Sequence, residues 1–248
     1  MNRRKMLARS SALLGAIGAG LPLPPMALAS SAKGPLRAVF VGGHPDDPQS
    51  GCGGTMALYS NASHKVVALF LTRGEKGIPG KSDQETAAIR TAEAQKSCEI
   101  LGARPRFANQ IDARTELSKS RYEQFWEVIQ DEKPDVLFTH WPIDTHPDHR
   151  VASLLSYDAW LRGNKRFALY YYEVELGSQT QTFRPTDYVD ISPVEARKRS
   201  ACYTHASTVE GWYPLHEQMH RFRGLESGCK SAEAFIRQAQ SVDALGPR

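Results

Sequence analysis

Three short apolar runs and one further candidate strand, each followed by a stretch of different periodicity, constrain this chain more than any other feature. They are RAVFVGG at 37–43, KVVALFL at 65–71, a run across 105–111, and DVLFTH at 135–140. Each has the length of a buried strand and is too short for a buried helix. Between them, residues 84–101 are rich in helix formers and stop at Gly102. Residues 120–133 carry Tyr122, Phe125, Trp126 and Ile129 at the i, i+3, i+4, i+7 spacing of an amphipathic helix, closed by Pro134. Residues 148–161 place Val151, Leu154 and Leu155 on one helical face. A further helix is expected to start near Thr55, behind the glycines of GCGG at 51–54. Strands alternating with helices imply βαβ units, so the expectation is an α/β fold, a mostly parallel sheet flanked by helices. The later chain reads as strands at 168–174 and 188–191 and helices at 193–203 and 231–239.

The first 29 residues stand apart. Arg3 and Arg4 precede a mildly apolar Gly/Ala stretch, and Ala27-Leu28-Ala29 has the form of a cleavage site. Paired arginines in that setting resemble a twin-arginine export signal, so an exported mature chain starting near Ser30 is expected, periplasmic or extracellular, without a stable membrane anchor. The apolar run is too short, and too rich in Pro and Gly, to span a bilayer well. The remainder, 30–248, contains no internal repeat and no Pro/Ser-rich linker, and is expected to be one domain. Charge follows the same division. The whole chain carries 31 Lys and Arg; removing the four in the signal leaves 27, equal to its 27 Asp and Glu. The expected mature protein therefore has no basic excess to draw it to nucleic acid. Its four cysteines are widely spaced and form no CxxC pair, so buried free thiols are expected rather than a disulfide framework.

Two of the strand-like runs lead into motifs that echo each other. His44-Pro45-Asp46-Asp47 follows the first run and His146-Pro147-Asp148-His149 follows the fourth. In parallel sheets ligands bind beyond the carboxyl ends of strands, so both motifs are placed on one edge. A catalytic zinc takes three protein ligands and keeps an open position. The two motifs offer such a set: two imidazoles and a carboxylate, with Pro45 stiffening the turn. A carboxylate and an imidazole are then left for proton transfer, which is an inventory for metal-assisted hydrolysis. Spacing does not choose between Asp46 and Asp47 as ligand and base.

The chain resembles the LmbE-like, or PIG-L, N-acetylglucosaminyl deacetylases. The residues that carry the resemblance are VGGHPDD at 41–47, GCGGT at 51–55, LTRGE at 71–75, IRTAE at 89–93 and HPDHR at 146–150. Weaker matches are KRSACYTHAS at 198–207 and AEAF at 232–235. The resemblance implies a Rossmann-like fold and Zn2+ held by His44, Asp47 and His149. It implies Asp46 as general base, His146 as the group that polarises the carbonyl or protonates the leaving amine, and Asp148 as its support. Arg90 matches a substrate-contacting arginine. The implied substrate is a small molecule or glycoconjugate bearing an N-acetylated amino sugar, with acetate as a product. One departure is Pro48, where the family usually has Glu, so a hydrogen bond supporting the metal is expected to be missing.

Other residues have plainer readings. Glu75 is expected to cap backbone amides near the site. Trp141 is read as a packed tryptophan or a sugar-stacking face, His140 as a loop or core histidine, and residues 170–172 as strand. Specificity is expected in the loops at 76–83, 112–120 and 176–187. Two other functions compete: a two-His-one-carboxylate iron oxygenase, and a sugar-binding relative that has lost catalysis.

Overall fold

Strand residues buried on both faces must be covered on both sides of the sheet, and residues 38–42, 66–70, 136–140 and 168–172 are buried in this way. In the computed structural model, residues 34–175, 177–208 and 212–242 are described. The expected signal and its cleavage site lie outside them. The elements run β1 (Arg37–Gly42), α1 (Asp47–Asn61), β2 (Lys65–Phe70), α2 (Asp83–Leu101), β3 (Arg104–Phe107), α3 (Lys119–Glu132), β4 (Val136–His140), α4 (Pro147–Arg162), β5 (Ala168–Tyr172), β6 (Asp187–Asp190), α5 (Glu195–Cys202), α6 (Tyr213–Ser227) and β7 (Ala232–Arg237). They form one seven-stranded sheet in the order β3-β2-β1-β4-β5-β7-β6. The first five strands are parallel, and β7 runs antiparallel to both β5 and β6.

Alternation along each strand divides the core into two layers. Ala38, Phe40, Phe70, Phe138 and Tyr170 lie in the cluster that also takes in Cys52, Met56 and Ala57 of α1 and Cys98 of α2. Val39, Val41, Leu69, Leu137 and Leu169 lie in the other, with Phe125 and Ile129 of α3 and Leu155 of α4. Phe138 stacks on Phe40 at 4.6 Å between centroids. The order of the strands reverses between β1 and β4. In such sheets the crevice at that reversal, beyond the carboxyl ends, receives ligands.

The central helix α1 departs from expectation. It starts at Asp47 rather than near Thr55, so GCGG lies inside it. A β-carbon at Gly51 would come within 2.4 Å of the Tyr172 ring, and one at Gly54 within 2.4 Å of Ile191. The glycines let this helix lie directly against the sheet and the segment after β6. Its backbone is then clamped by a buried ion pair. Lys198 Nζ donates to Ser50 O and to Glu233 Oε1, both at 2.6 Å, while Glu233 accepts from Gly54 N and Thr55 N at 2.7 and 2.8 Å. The clamp joins α1, α5 and β7 and so holds the helix whose first residue is Asp47.

Four further expectations are corrected. Residues 231–239 contain a strand, β7, and not a helix. The helix α6 falls where none was expected. The third strand ends at Phe107, short of residue 111. Leu154 is exposed, while Leu155 is buried as expected. The cysteines are free thiols, with Cys52, Cys98 and Cys202 buried and Cys229 half-buried. Among the described residues no helix is long and apolar enough to cross a membrane.

Candidate metal centre

The site is built by two turns that leave the sheet on either side of the reversal point. After β1, Gly43 O accepts from the Thr72 hydroxyl at 2.9 Å, bracing the turn that presents His44. Asp46 follows at φ 139°, a conformation that costs a residue with a β-carbon roughly 1–3 kcal/mol and clusters at functional sites. Asp47 then opens α1. Its Oδ2 accepts from His44 N at 2.7 Å and lies 3.2 Å from His140 Nε2. Pro48 occupies the first turn of α1, where a helix has no use for the missing N–H.

After β4, the loop carries Asp144 to His146, and α4 begins at Pro147. His146 is the N-cap: its Nδ1 accepts from Asp148 N at 3.3 Å. With Nδ1 accepting and burial lowering its pKa below the usual range, ahead of His44 and His149, the ring is neutral with its proton on Nε2. His149, one turn on, is buried and stacked 3.9 Å from His140.

The two turns bring the expected residues together. His44 Nδ1 lies 3.3 Å from Asp47 Oδ2, and His149 Nε2 lies 3.4 Å from Asp47 Oδ1. The His146 ring is 4.6 Å from both His44 and His149. Among the described residues three sets have ligand atoms within 4.8 Å of one another: His44, His146 and His149; Asp47, His140 and His149; and His44, Asp112 and Asp148. His44 and His149 share the first set, and Asp47 and His149 share the second.

The donor chemistry fits a zinc ion. Both histidines turn one nitrogen to Asp47 and the other to a carboxylate behind it. His44 Nε2 lies 3.1 Å from Asp148 Oδ2 and 3.2 Å from Asp112 Oδ1, and His149 Nδ1 lies 3.2 Å from Asp144 Oδ1. A carboxylate behind each imidazole is the arrangement that fixes a metal-binding histidine. The third set is therefore read as outer support of His44. It also moves Asp148: its carboxylate holds His44, while its backbone N–H donates to His146. The electrostatics point the same way. Burial opposes charge on His149, yet Asp47 and Asp144 raise it to about 9, and three aspartates raise His44 well above the usual range. Burial likewise pushes Asp47 up, but His149 and His140 hold it well below the usual carboxylate range. The cluster favours positive charge at its centre.

Asp46 has a different environment. Burial raises it to about 6 against the pull of Arg90. Arg90 Nη2 donates to Asp46 Oδ2 at 2.6 Å and to Pro45 O at 2.7 Å. A β-carbon at Gly74 or Gly77 would come within 2.3 or 2.5 Å of Arg90 Nη1, so the two glycines form a slot for the guanidinium. Arg90 lines the cavity but is committed to Asp46. Glu75 accepts from Asp112 N at 3.1 Å, as its capping role required. Trp141 packs edge-on to Tyr171 and Phe183 and donates to Gln181 O at 3.1 Å.

Sequence reasoning missed Asp144 as support of His149 and Asp112 as support of His44. Both are carboxylates just past strand ends on the metal edge, which was the available signal. It also understated His140, which is fully buried against Asp47 and His149. His44, Asp46, Asp47, Arg90, His146 and His149 line one cavity of about 310 Å³.

Comparison with known proteins agrees with this geometry. The family model for PIG-L, GlcNAc-PI de-N-acetylase, matches residues 39–160. The diacetylchitobiose deacetylase of Thermococcus kodakarensis is 30% identical over 209 residues, which cover 77% of this chain and 78% of that protein. The N,N'-diacetylchitobiose deacetylase of Pyrococcus horikoshii has a similar structure, with a TM-score of 0.72 at 24% identity, covering 82% of this chain and 84% of that one. So does GalB, the 4-carboxy-2-hydroxymuconate hydratase of Pseudomonas putida KT2440, with a TM-score of 0.73 at 21% identity, covering 83% of this chain and 97% of that one. At those identities the two structures speak for the fold alone. The paired histidine motifs, the sheet order and the relative from T. kodakarensis together show that this chain belongs to the PIG-L, or LmbE-like, deacetylase family.

Proposed function

We propose that the protein is a zinc-dependent hydrolase that removes the acetyl group from an N-acetylated amino sugar or glycoconjugate, releasing acetate. One observation carries the reading: Asp46, which joins none of the three sets of possible ligands, lines the same cavity as His44, Asp47, His146 and His149. A zinc ion held by His44, Asp47 and His149 supplies a Lewis acid that acidifies water and polarises an amide carbonyl. Asp46 takes the proton from the attacking water. Arg90 keeps its carboxylate ionised and aimed, and the Thr208 hydroxyl, 3.3 Å from Asp46 Oδ2, limits its rotation. His146 presents a neutral Nε2–H, which stabilises charge on the carbonyl oxygen. The proton gained by Asp46 and the one carried by His146 are the two sources for the leaving amine.

The name of the T. kodakarensis relative supports a sugar amide as substrate. Acetate release over a panel of N-acetylated sugars is the test. Release from at least one amino sugar is expected, and none from any of them would reject the reading.

We also propose that the protein is exported, from the paired arginines and the Ala27-Leu28-Ala29 site. N-terminal sequencing of the exported form is expected to begin near Ser30. Recovery only of an intact Met1 chain in the cytosol would refute it.

A further inference from the structure

The cavity has a second wall, remote in sequence from both histidine motifs. Glu175, after β5, and Trp212 and His216, at the start of α6, line it. Glu175 sits at φ 40°, in the left-handed region that a residue with a β-carbon seldom adopts, and such outliers cluster at binding sites. Its backbone N–H donates to His216 Nε2 at 3.4 Å. His216 is only 2% exposed, and burial, reinforced by Lys198, brings its pKa down to about 3. It is therefore neutral, and with Nε2 accepting, its proton is on Nδ1. Among the described residues that nitrogen has no partner, nor has the buried Nε1 of Trp212, which can only donate. Unpaired buried donors in a native protein call for an explanation.

The cations of the cavity supply the other half of the inference. Lys76 and Arg90 both line it. Lys76 Nζ is held by both oxygens of Asp83 at 2.6 and 2.7 Å, and Arg90 by Asp46 at 2.6 Å. Both are already paired, Lys76 in an exposed ion pair and Arg90 in a buried one, and Glu175 would repel an acidic group placed beside it. A cavity of about 310 Å³ is at the small end of ligand sites, the scale of one sugar unit.

We propose that Glu175, Trp212 and His216 form a distal subsite for the uncharged, hydroxyl-bearing part of the sugar, with two neutral N–H donors and one carboxylate acceptor. The proposal rests on the deacetylase reading for the nature of the ligand. It excludes N-acetylated sugars that carry an acid.

Calorimetric titration of metal-replete protein tests it without turnover. The probes are N-acetylglucosamine and N-acetylmuramic acid, which adds a carboxylate. The neutral sugar is expected to bind at least about tenfold more tightly. Glu175→Gln, which keeps shape and removes charge, should narrow that ratio at least about threefold. Trp212→Phe, which keeps a ring and removes the N–H, should weaken the neutral sugar roughly five- to tenfold. Tighter binding of the acid, an unchanged ratio in Glu175→Gln, or no binding of the neutral sugar would overturn the subsite. If the sugar binds as described and no acetate is released from any substrate, the subsite stands and the deacetylase reading falls. If acetate is released and neither variant alters binding, the subsite falls and the deacetylase reading stands.

Discussion

Asp46→Asn is expected to lower kcat for acetate release by ~10²–10⁴-fold while the protein keeps its metal, the range that general acid–base help supplies. Asparagine preserves the size of the side chain and the contact with Arg90, and it removes the lone function that a general base requires. Asp46 is suited to that function by place as well as by charge. Its carboxylate lies in the cavity, is fixed by Arg90 at 2.6 Å, and is not among the residues whose ligand atoms cluster closely enough to share a metal. His146→Ala should give a loss of similar size. The double variant should lose less than the product of the two, because both residues serve one transition state. Steady-state acetate release by folded, zinc-replete variants measures all three. A kcat for Asp46→Asn near that of the parent would remove Asp46 from the chemistry.

His44→Ala, Asp47→Ala and His149→Ala are each expected to lose the metal and, with it, nearly all activity. His44 and His149 each bring a ring nitrogen within 3.3–3.4 Å of the Asp47 carboxylate, so each substitution deletes one side of the cluster. The carboxylates behind the histidines should show a graded effect. Asp144→Ala and Asp148→Ala are expected to weaken metal affinity by ~10–100-fold, the usual consequence of removing the group that orients a metal-binding imidazole. Asp148 thereby joins the metal variants and not the His146 variants, because its carboxylate meets His44. Metal content per chain at limiting zinc, measured across the series, decides this. Loss of metal in Asp46→Asn together with retention in Asp47→Ala would exchange the two aspartates.

The strands β1, β2, β4 and β5 were legible because burial on both faces leaves a continuous apolar run, whereas β3 is only half-buried and its end was misplaced; the alternation with helices implied the parallel sheet. The two histidine motifs were legible for a related reason: each follows a strand whose end can be recognised. What escaped was structure whose buried face is polar. The inward residues of α6 include His216, His220 and Arg223, so no apolar stripe marks the helix. Arg223 is buried against Glu173, which accepts from it at 2.7 Å from 50 residues away in sequence, and it also pairs with Glu226. The strand β7 contains Ala232, Glu233 and Ala234, all good helix formers. It is a strand because β5 and β6 flank it and Lys198 neutralises Glu233. The outer carboxylates Asp112 and Asp144 were hidden for the same reason. Their meaning depends on which histidine nitrogen they face, and that is set by tertiary packing.

If these residues hold a metal with which the chain hydrolyses a sugar amide, acetate release must follow the metal through one preparation in three states: as purified, stripped by a chelator, and reloaded with zinc. The N-acetylated sugar that gives the highest release in the panel serves as substrate. Release should fall to background on stripping and return on reloading, with no comparable return in Asp46→Asn. Undiminished release by the stripped protein, with metal absent by direct measurement, would contradict the account.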